Sequence, residues 1–221
     1  MNQIVQNIND LRSNIPSNIK IIAVSKTKTV PKIRDAMDAG QLFFGESKVK
    51  ELLEKHEQIP EAQWHLIGHL QTNKVKYIAS FVQMIQSVDS LRILEEIDRH
   101  AKRCHRIIDC LLQIHIAREE TKFGFSEQET IELLESNTVQ NLKHVRICGL
   151  MGIATFTDDM EAVRMEFRGL ANFFQRLRKE YFQENSSFCE LSIGMSDDYP
   201  IAIEEGATMV RIGSLIFGER T

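Results

Sequence analysis

Ile21-Ile22-Ala23-Val24-Ser25-Lys26-Thr27-Lys28 sets four apolar residues, three of them β-branched, directly before a polar turn. The run is too short for a helix core and lacks alternation, the pattern of a strand buried on both faces, as parallel strands are. Such a strand ends where the chain turns polar, so Lys26 is expected at the carboxyl end of a parallel strand. In α/β barrels and open α/β sheets that end is where sites are built. Partial desolvation there favours the neutral amine, the form that attacks an aldehyde. Taken alone, the segment fits a solvated strand-end lysine better, because lysine keeps its charge in water at little cost.

Outward from this strand the pattern alternates. Before it, Ile4, Ile8 and Leu11 share one helical face, closed by Pro16. After it come Pro31 in a first helical turn, Ile33, Ala36 and Met37 on one face, and Gly40 as a stop. Strand patterns follow at 42–45, 64–68, 84–88, 110–116, 146–154, 191–195 and 208–212, with helical stripes between them. The third helix is expected to bury Val49, Leu52, Leu53 and His56. Ser126 with Glu129 makes a capping box ahead of Ile131 and Leu134, and Val163, Phe167, Leu170, Phe174 and Leu177 line a long helix. Roughly eight strands, each but the last followed by a helix, predict an α/β fold, a single (β/α)8 barrel over residues 1–221 with an extra N-terminal helix. An open doubly wound sheet is the alternative, but it commonly carries a glycine-rich turn after its first strand, and Ser25-Lys26-Thr27-Lys28 has no glycine. The chain ends soon after Ile212, so the N-terminal helix is expected to cover the place of a full final helix.

Composition narrows the function classes. Hydrophobic residues at 43% and charged residues at 26% describe a globular chain with a sizeable core, not a disordered one. A net charge of -4 without a long basic run argues against nucleic acid as a partner. No apolar run reaches membrane-spanning length, and residues 1–20 lack the apolar core of a signal peptide. Cys104, Cys110, Cys148 and Cys189 form no C-x-x-C pair, which with the absent leader makes a reducing cytoplasm the expected compartment.

Two strand ends carry the rest of the chemistry. The seventh continues as Ser192-Ile193-Gly194-Met195-Ser196-Asp197-Asp198, and the eighth ends Arg211-Ile212-Gly213-Ser214. In barrels the loops after strands seven and eight often hold a phosphate. Gly194 and Gly213 allow close backbone approach, and Ser196 and Ser214 can donate hydrogen bonds; either loop alone could equally be a helix cap. Arg211 lies inside an otherwise apolar strand, so it either meets an acceptor in the barrel mouth or faces outward in a salt bridge. A strand-end lysine, a phosphate cradle and an inward arginine together suit pyridoxal 5'-phosphate, held as a Schiff base with its ring nitrogen toward the arginine.

The motifs support that reading. They are Ala23-Val24-Ser25-Lys26-Thr27-Lys28, Phe44-Gly45-Glu46, Trp64-His65, Ile67-Gly68-His69-Leu70-Gln71 with Asn73-Lys74, Gly149-Leu150-Met151, Gly194-Met195-Ser196-Asp197-Asp198, and Gly206 to Gly213 with Ile216-Phe217-Gly218. Through them the chain resembles, from end to end, the pyridoxal phosphate homeostasis protein family, whose fold is like the barrel domain of bacterial alanine racemase. The resemblance implies that Lys26 is the internal aldimine lysine, that Ser196, Gly213 and Ser214 contact the phosphate, and that Arg211 faces the pyridine nitrogen. It implies a cofactor buffer or carrier, expected as a monomer, with apo forms of cofactor-dependent enzymes as partners. Ser47 stands where the family usually has asparagine, and Gly152 and Leu66 also depart from its usual choices.

A non-catalytic cofactor protein is the expected function, with an amino-acid racemase and a sugar-phosphate enzyme as alternatives. Racemisation needs a base on each face of the α-carbon. In the racemase architecture the second base is a tyrosine from an additional domain, and Tyr77, Tyr181 and Tyr199 are all expected away from the substrate carbon. Lys122, after the fifth strand, is expected at the rim, either as a second amine during cofactor release or loosely paired with Glu119 or Glu120. His65, beside Trp64 on a buried strand, is expected to be structural and outside the site.

Overall fold

Eight strands pair in chain order, every neighbour parallel, and the eighth returns to the first to close the barrel. This computed structural model describes residues 2–119 and 123–219; Lys122 lies outside the described residues. The strands are β1 (Lys20–Val24), β2 (Phe43–Glu46), β3 (Gln63–Leu66), β4 (Met84–Val88), β5 (Ile108–Ile114), β6 (Val145–Gly152), β7 (Glu190–Ser192) and β8 (Met209–Ile212). The helices are α1 (Gln3–Asn14), α2 (Val30–Asp38), α3 (Val49–Gln58), α4 (Val75–Ile78), α5 (Leu91–Arg103), α6 (Glu127–Glu135), α7 (Asn137–Asn141), α8 (Met160–Glu180), α9 (Tyr199–Glu204) and α10 (Ser214–Phe217).

The closing pairs, Ile22 with Arg211 and Ala23 with Ile212, rule out an open sheet. The last helix, α10, has four residues, and α1 packs over it and against α2, with Asn7 Nδ2 donating to the Ile216 carbonyl at 3.0 Å. Thus α1 fills the place that a longer final helix would take. The capping box forms as expected, Ser126 Oγ accepting from Glu129 N and Glu129 Oε2 accepting from Ser126 N at 2.8 Å. On α8 the stripe Val163, Phe167, Leu170, Phe174 and Leu177 is buried throughout.

Several local expectations shift. β3 and β6 each end two residues early, and β5 begins and ends two residues early, pairing with β6 from Ile108 with Val145 to Ile114 with Gly152 across a bulge between Cys110 and Leu111. β7 stops at Ser192, since Gly194 takes φ +89 and turns the chain out of the sheet. On α3 the buried positions are Leu52 and Lys55; Val49, Leu53 and His56 are half-buried, and His56 stacks on Phe81. Among the described residues, all four cysteines are free and no helix is long and apolar enough to cross a membrane.

Candidate functional site

Strand alternation sends two sets of side chains in opposite directions. Ala23, Phe44, Leu66, Leu150, Leu191, Val210 and Ile212 join the core between barrel and helices, while Ile22, Met84, Leu111, Met151 and Met209 pack along the barrel axis. Arg211 and Gly213 share the parity of Met209, so Arg211 points inward. It is 4% exposed, and its guanidinium donates to the Ser192 carbonyl at 2.7 Å, to Ser192 Oγ at 2.8 Å and to the Gly152 carbonyl at 2.8 Å. The outward salt bridge is excluded. Burial pushes the guanidinium down to about 10, against the pull of Asp198, so it keeps its charge at neutral pH.

Lys26 lies two residues beyond Val24, in the turn that follows β1, and is half-buried. A polar cluster behind the turn fixes its backbone. Ser25 is buried and donates to Glu46 Oε1 at 2.6 Å; Lys55, from α3, donates to Glu46 Oε1, to Glu51 Oε1 and to the Ser25 carbonyl, each at 2.7 Å. Glu51 also accepts from Thr27 N at 2.5 Å, and Thr27 sits in the left-handed region at φ 66. The residues on both sides of Lys26 are therefore tied to one buried ion pair. Burial pushes the Glu46 carboxyl up, and the Lys55 ammonium opposes that shift.

Across the mouth, the loops after β7 and β8 meet. Gly213 N donates to Ser196 Oγ at 3.2 Å, and Ser214 opens α10, whose first N–H groups have no intrahelical acceptor. Asp198 Oδ1 accepts from Met195 N at 2.5 Å and shapes the Ser196 loop. A Cβ on Gly194 would lie 2.5 Å from Ala202 Cβ, so only glycine lets the loop lie on α9. On Gly213 a Cβ would meet Val24 at ordinary contact distance, and the mouth would narrow beside β1.

The five residues singled out in the sequence, Lys26, Ser196, Arg211, Gly213 and Ser214, thus lie at the carboxyl ends of β1, β7 and β8, on adjoining strands. Sequence reasoning missed Lys55, Glu51, Gln86 and Ser192. Ser192 passes its hydroxyl hydrogen to Gln86 Oε1 at 2.7 Å, and Gln86 Nε2 meets His65 Nδ1 at 2.8 Å. His65 ends a hydrogen-bonded chain that starts at Arg211. Burial, aided by the Lys20 charge, pushes its imidazole down to about 3, so it is neutral.

The whole chain, residues 1–221, matches the family model of the alanine racemase N-terminal domain. A pyridoxal phosphate homeostasis protein of Aquifex aeolicus is 40% identical over 203 residues, covering 91% of this chain and 87% of that one; one from Synechocystis is 36% identical over 214 residues, covering 96% of both. PipY of Synechococcus elongatus, solved with PLP bound, superposes with TM-score 0.86 at 34% identity, covering 97% of this chain and all of that one. An alanine racemase of Streptomyces lavendulae shares the fold at 17% identity and TM-score 0.79, this chain spanning 57% of its length. With a closed barrel, a strand-end lysine and relatives this similar over nearly their full length, the chain belongs to the pyridoxal phosphate homeostasis protein family, within the alanine racemase N-terminal domain fold.

Proposed function

We propose that this protein binds pyridoxal 5'-phosphate at the carboxyl end of the barrel and buffers or delivers it inside the cell, without turning over amino acids. The observation that carries the reading is Arg211, buried and charged, on the same strand face as Gly213 and on the strand that pairs with β1, whose turn bears Lys26. The residues present fit the cofactor: an amine on one side, a paired serine and glycine at the start of a helix opposite, and a cation between them.

The cofactor, when bound, would supply an aldehyde, and Lys26 is the amine at this mouth that would hold it covalently. Ser196, Gly213 and Ser214 hold the phosphate through hydroxyl and backbone N–H groups, as oriented donors near a helix start hold anions. Arg211 donates and cannot readily lose its proton, so it would hold a ring nitrogen placed beside it as an acceptor, unprotonated. An unprotonated ring withdraws electrons weakly, which favours storage over carbanion chemistry.

A racemase is the second reading, and the tyrosines speak against it. Tyr77 lies on α4 at the surface, Tyr181 caps α8 with its hydroxyl donating to Glu135, and Tyr199 begins α9 beside the Ser196 loop. One barrel domain, a monomeric state, a cytoplasmic location and apo enzymes as recipients complete the proposal.

Two experiments test it. Lys26→Ala should remove the visible absorbance band that borohydride bleaches in the loaded protein, while far-ultraviolet circular dichroism stays unchanged; a retained band would sink the assignment of Lys26. Incubating the loaded protein with L-amino acids in deuterium oxide should leave the α-proton signal intact. Exchange at about one turnover per second or faster, an ordinary enzymatic rate, would promote the racemase instead.

A further inference from the structure

The opposite end of the barrel holds a cavity of about 280 Å³, ringed by residues at the amino-terminal ends of the strands. Its charged lining is two ion pairs, Lys20 with Glu190 and Arg146 with Asp109, so it offers two cations and two carboxylates and no net charge, with Gln83 and Ser187 as neutral polar neighbours. Its apolar floor is Phe43, Met84 and Met209, and His65 lines its inner side.

The hydrogen-bonded chain from Arg211 fixes which nitrogen of His65 carries the proton. Guanidinium only donates, so Ser192 Oγ accepts from it and must direct its own hydrogen to Gln86 Oε1. Gln86 then presents its amide N–H groups to His65 Nδ1, which has to accept because the ring is neutral. The proton sits on Nε2. That nitrogen is buried and has no hydrogen-bond partner among the described residues, a deficit that a buried donor in an otherwise satisfied network rarely carries.

We infer that the amino-terminal mouth of the barrel is a second binding site, for a small zwitterion with an apolar side chain, that is, an α-amino acid. A neutral wall that alternates cation and carboxylate favours a ligand with one charge of each sign and no net charge, since a singly charged ligand would leave one partner of a pair uncompensated. The ligand's carboxylate has Lys20 and the His65 N–H to meet, its ammonium has Glu190 or Asp109, and its side chain has the Phe43, Met84 and Met209 floor. The volume lies near the lower end of the range for ligand pockets and suits a molecule of valine or methionine size. Burial pushes the Cys148 thiol up to about 12, so it is not a nucleophile at neutral pH, and the described residues hold no metal-binding group of three or more ligands.

The test is carbon-13 methyl NMR of methionine-labelled full-length protein, titrated with L-valine, isobutyrate and isobutylamine. L-Valine should shift the Met84 and Met209 methyls saturably, leave the exposed Met165 methyl unmoved, and bind at least tenfold more tightly than either single-charge analogue. The pair Lys20→Gln with Glu190→Gln should weaken L-valine at least tenfold. Absence of a saturable shift in the wild type, or analogues that bind as well as L-valine, would overturn the inference and leave a cavity for water. The readout uses no cofactor, so its failure would not touch the function proposed for the other mouth.

Discussion

Lys55→Met removes a cation that reaches the buried Ser25 and Glu46 cluster with all three of its hydrogen bonds. The lysine is 5% exposed and its ammonium spends three hydrogen bonds there, each at 2.7 Å. Methionine keeps most of the side-chain volume, so cavity and transfer terms stay small. What remains is the fully buried Glu46, held through Oε1 by Ser25 alone, its Oε2 already without a partner. Removing one member of a buried ion pair costs about 3–5 kcal/mol, chiefly by stranding the other charge. Chemical unfolding should show that loss as a lower midpoint at unchanged slope. Adding Glu46→Gln removes the stranded charge and should restore more than half of it. The pH dependence follows from the same group. Its folded value is raised above 4.5, so between 4.5 and that value the native state binds more protons than the unfolded one, and stability falls as pH rises. Without Lys55 the folded value rises further and the window widens upward. The deficit of Lys55→Met should therefore shrink as pH falls through 4.5 and level off below it, where Glu46 is protonated in both states. A neutral-pH loss below about 1 kcal/mol, in the range of an exposed pair, would refute the reasoning.

Arg211 and Gly194 give two further tests. Nitrogen-15 shifts of labelled cofactor in the wild type should report an unprotonated pyridine, and Arg211→Glu should move them toward the protonated value; a protonated wild-type ring would remove Arg211 from that contact. Gly194→Ala forces a Cβ to within 2.5 Å of Ala202 Cβ at φ +89, and should cost about 1–3 kcal/mol in thermal or chemical unfolding, with phosphate affinity falling alongside. An alanine variant as stable as the wild type would mean that α9 can shift to make room.

The barrel was legible because its strands run apolar without alternation and its helices alternate with them, and both are local signals. Arg211 was legible for a related reason: an arginine in the apolar run Met209-Val210-Arg211-Ile212 is an anomaly that a period-2 reading cannot ignore. Lys55 gave no such signal. On α3 it follows Leu52 by three residues and reads as a solvated lysine, because the acid that buries it, Glu46, lies on β2 and was read as the polar end of a strand. Gln86 hid in a similar way, since Met84-Ile85-Gln86-Ser87-Val88 reads only as a strand, and the Ser192 and His65 partners that hold the buried amide lie far away in the chain.

The polar residues inside the barrel bear on what the fold is for. Well-packed apolar side chains in place of Arg211, Ser192, Gln86 and His65 would be at least as stabilising, because buried charge gains little net stability even when fully bonded. Such a core would also be simpler to pack, as the apolar layer of Ile22, Met84, Leu111, Met151 and Met209 around them demonstrates. The polar chain therefore has to be explained by something other than stability. One end of it presents a permanently charged guanidinium near the mouth that carries Lys26, and its three acceptors, two carbonyls and a hydroxyl, leave that charge uncompensated by any carboxylate in contact. A carboxylate there would have stabilised the arginine better and neutralised it. Three neutral acceptors hold the group in place and keep its positive field available, as the proposed binding of an anionic cofactor at this mouth would use it.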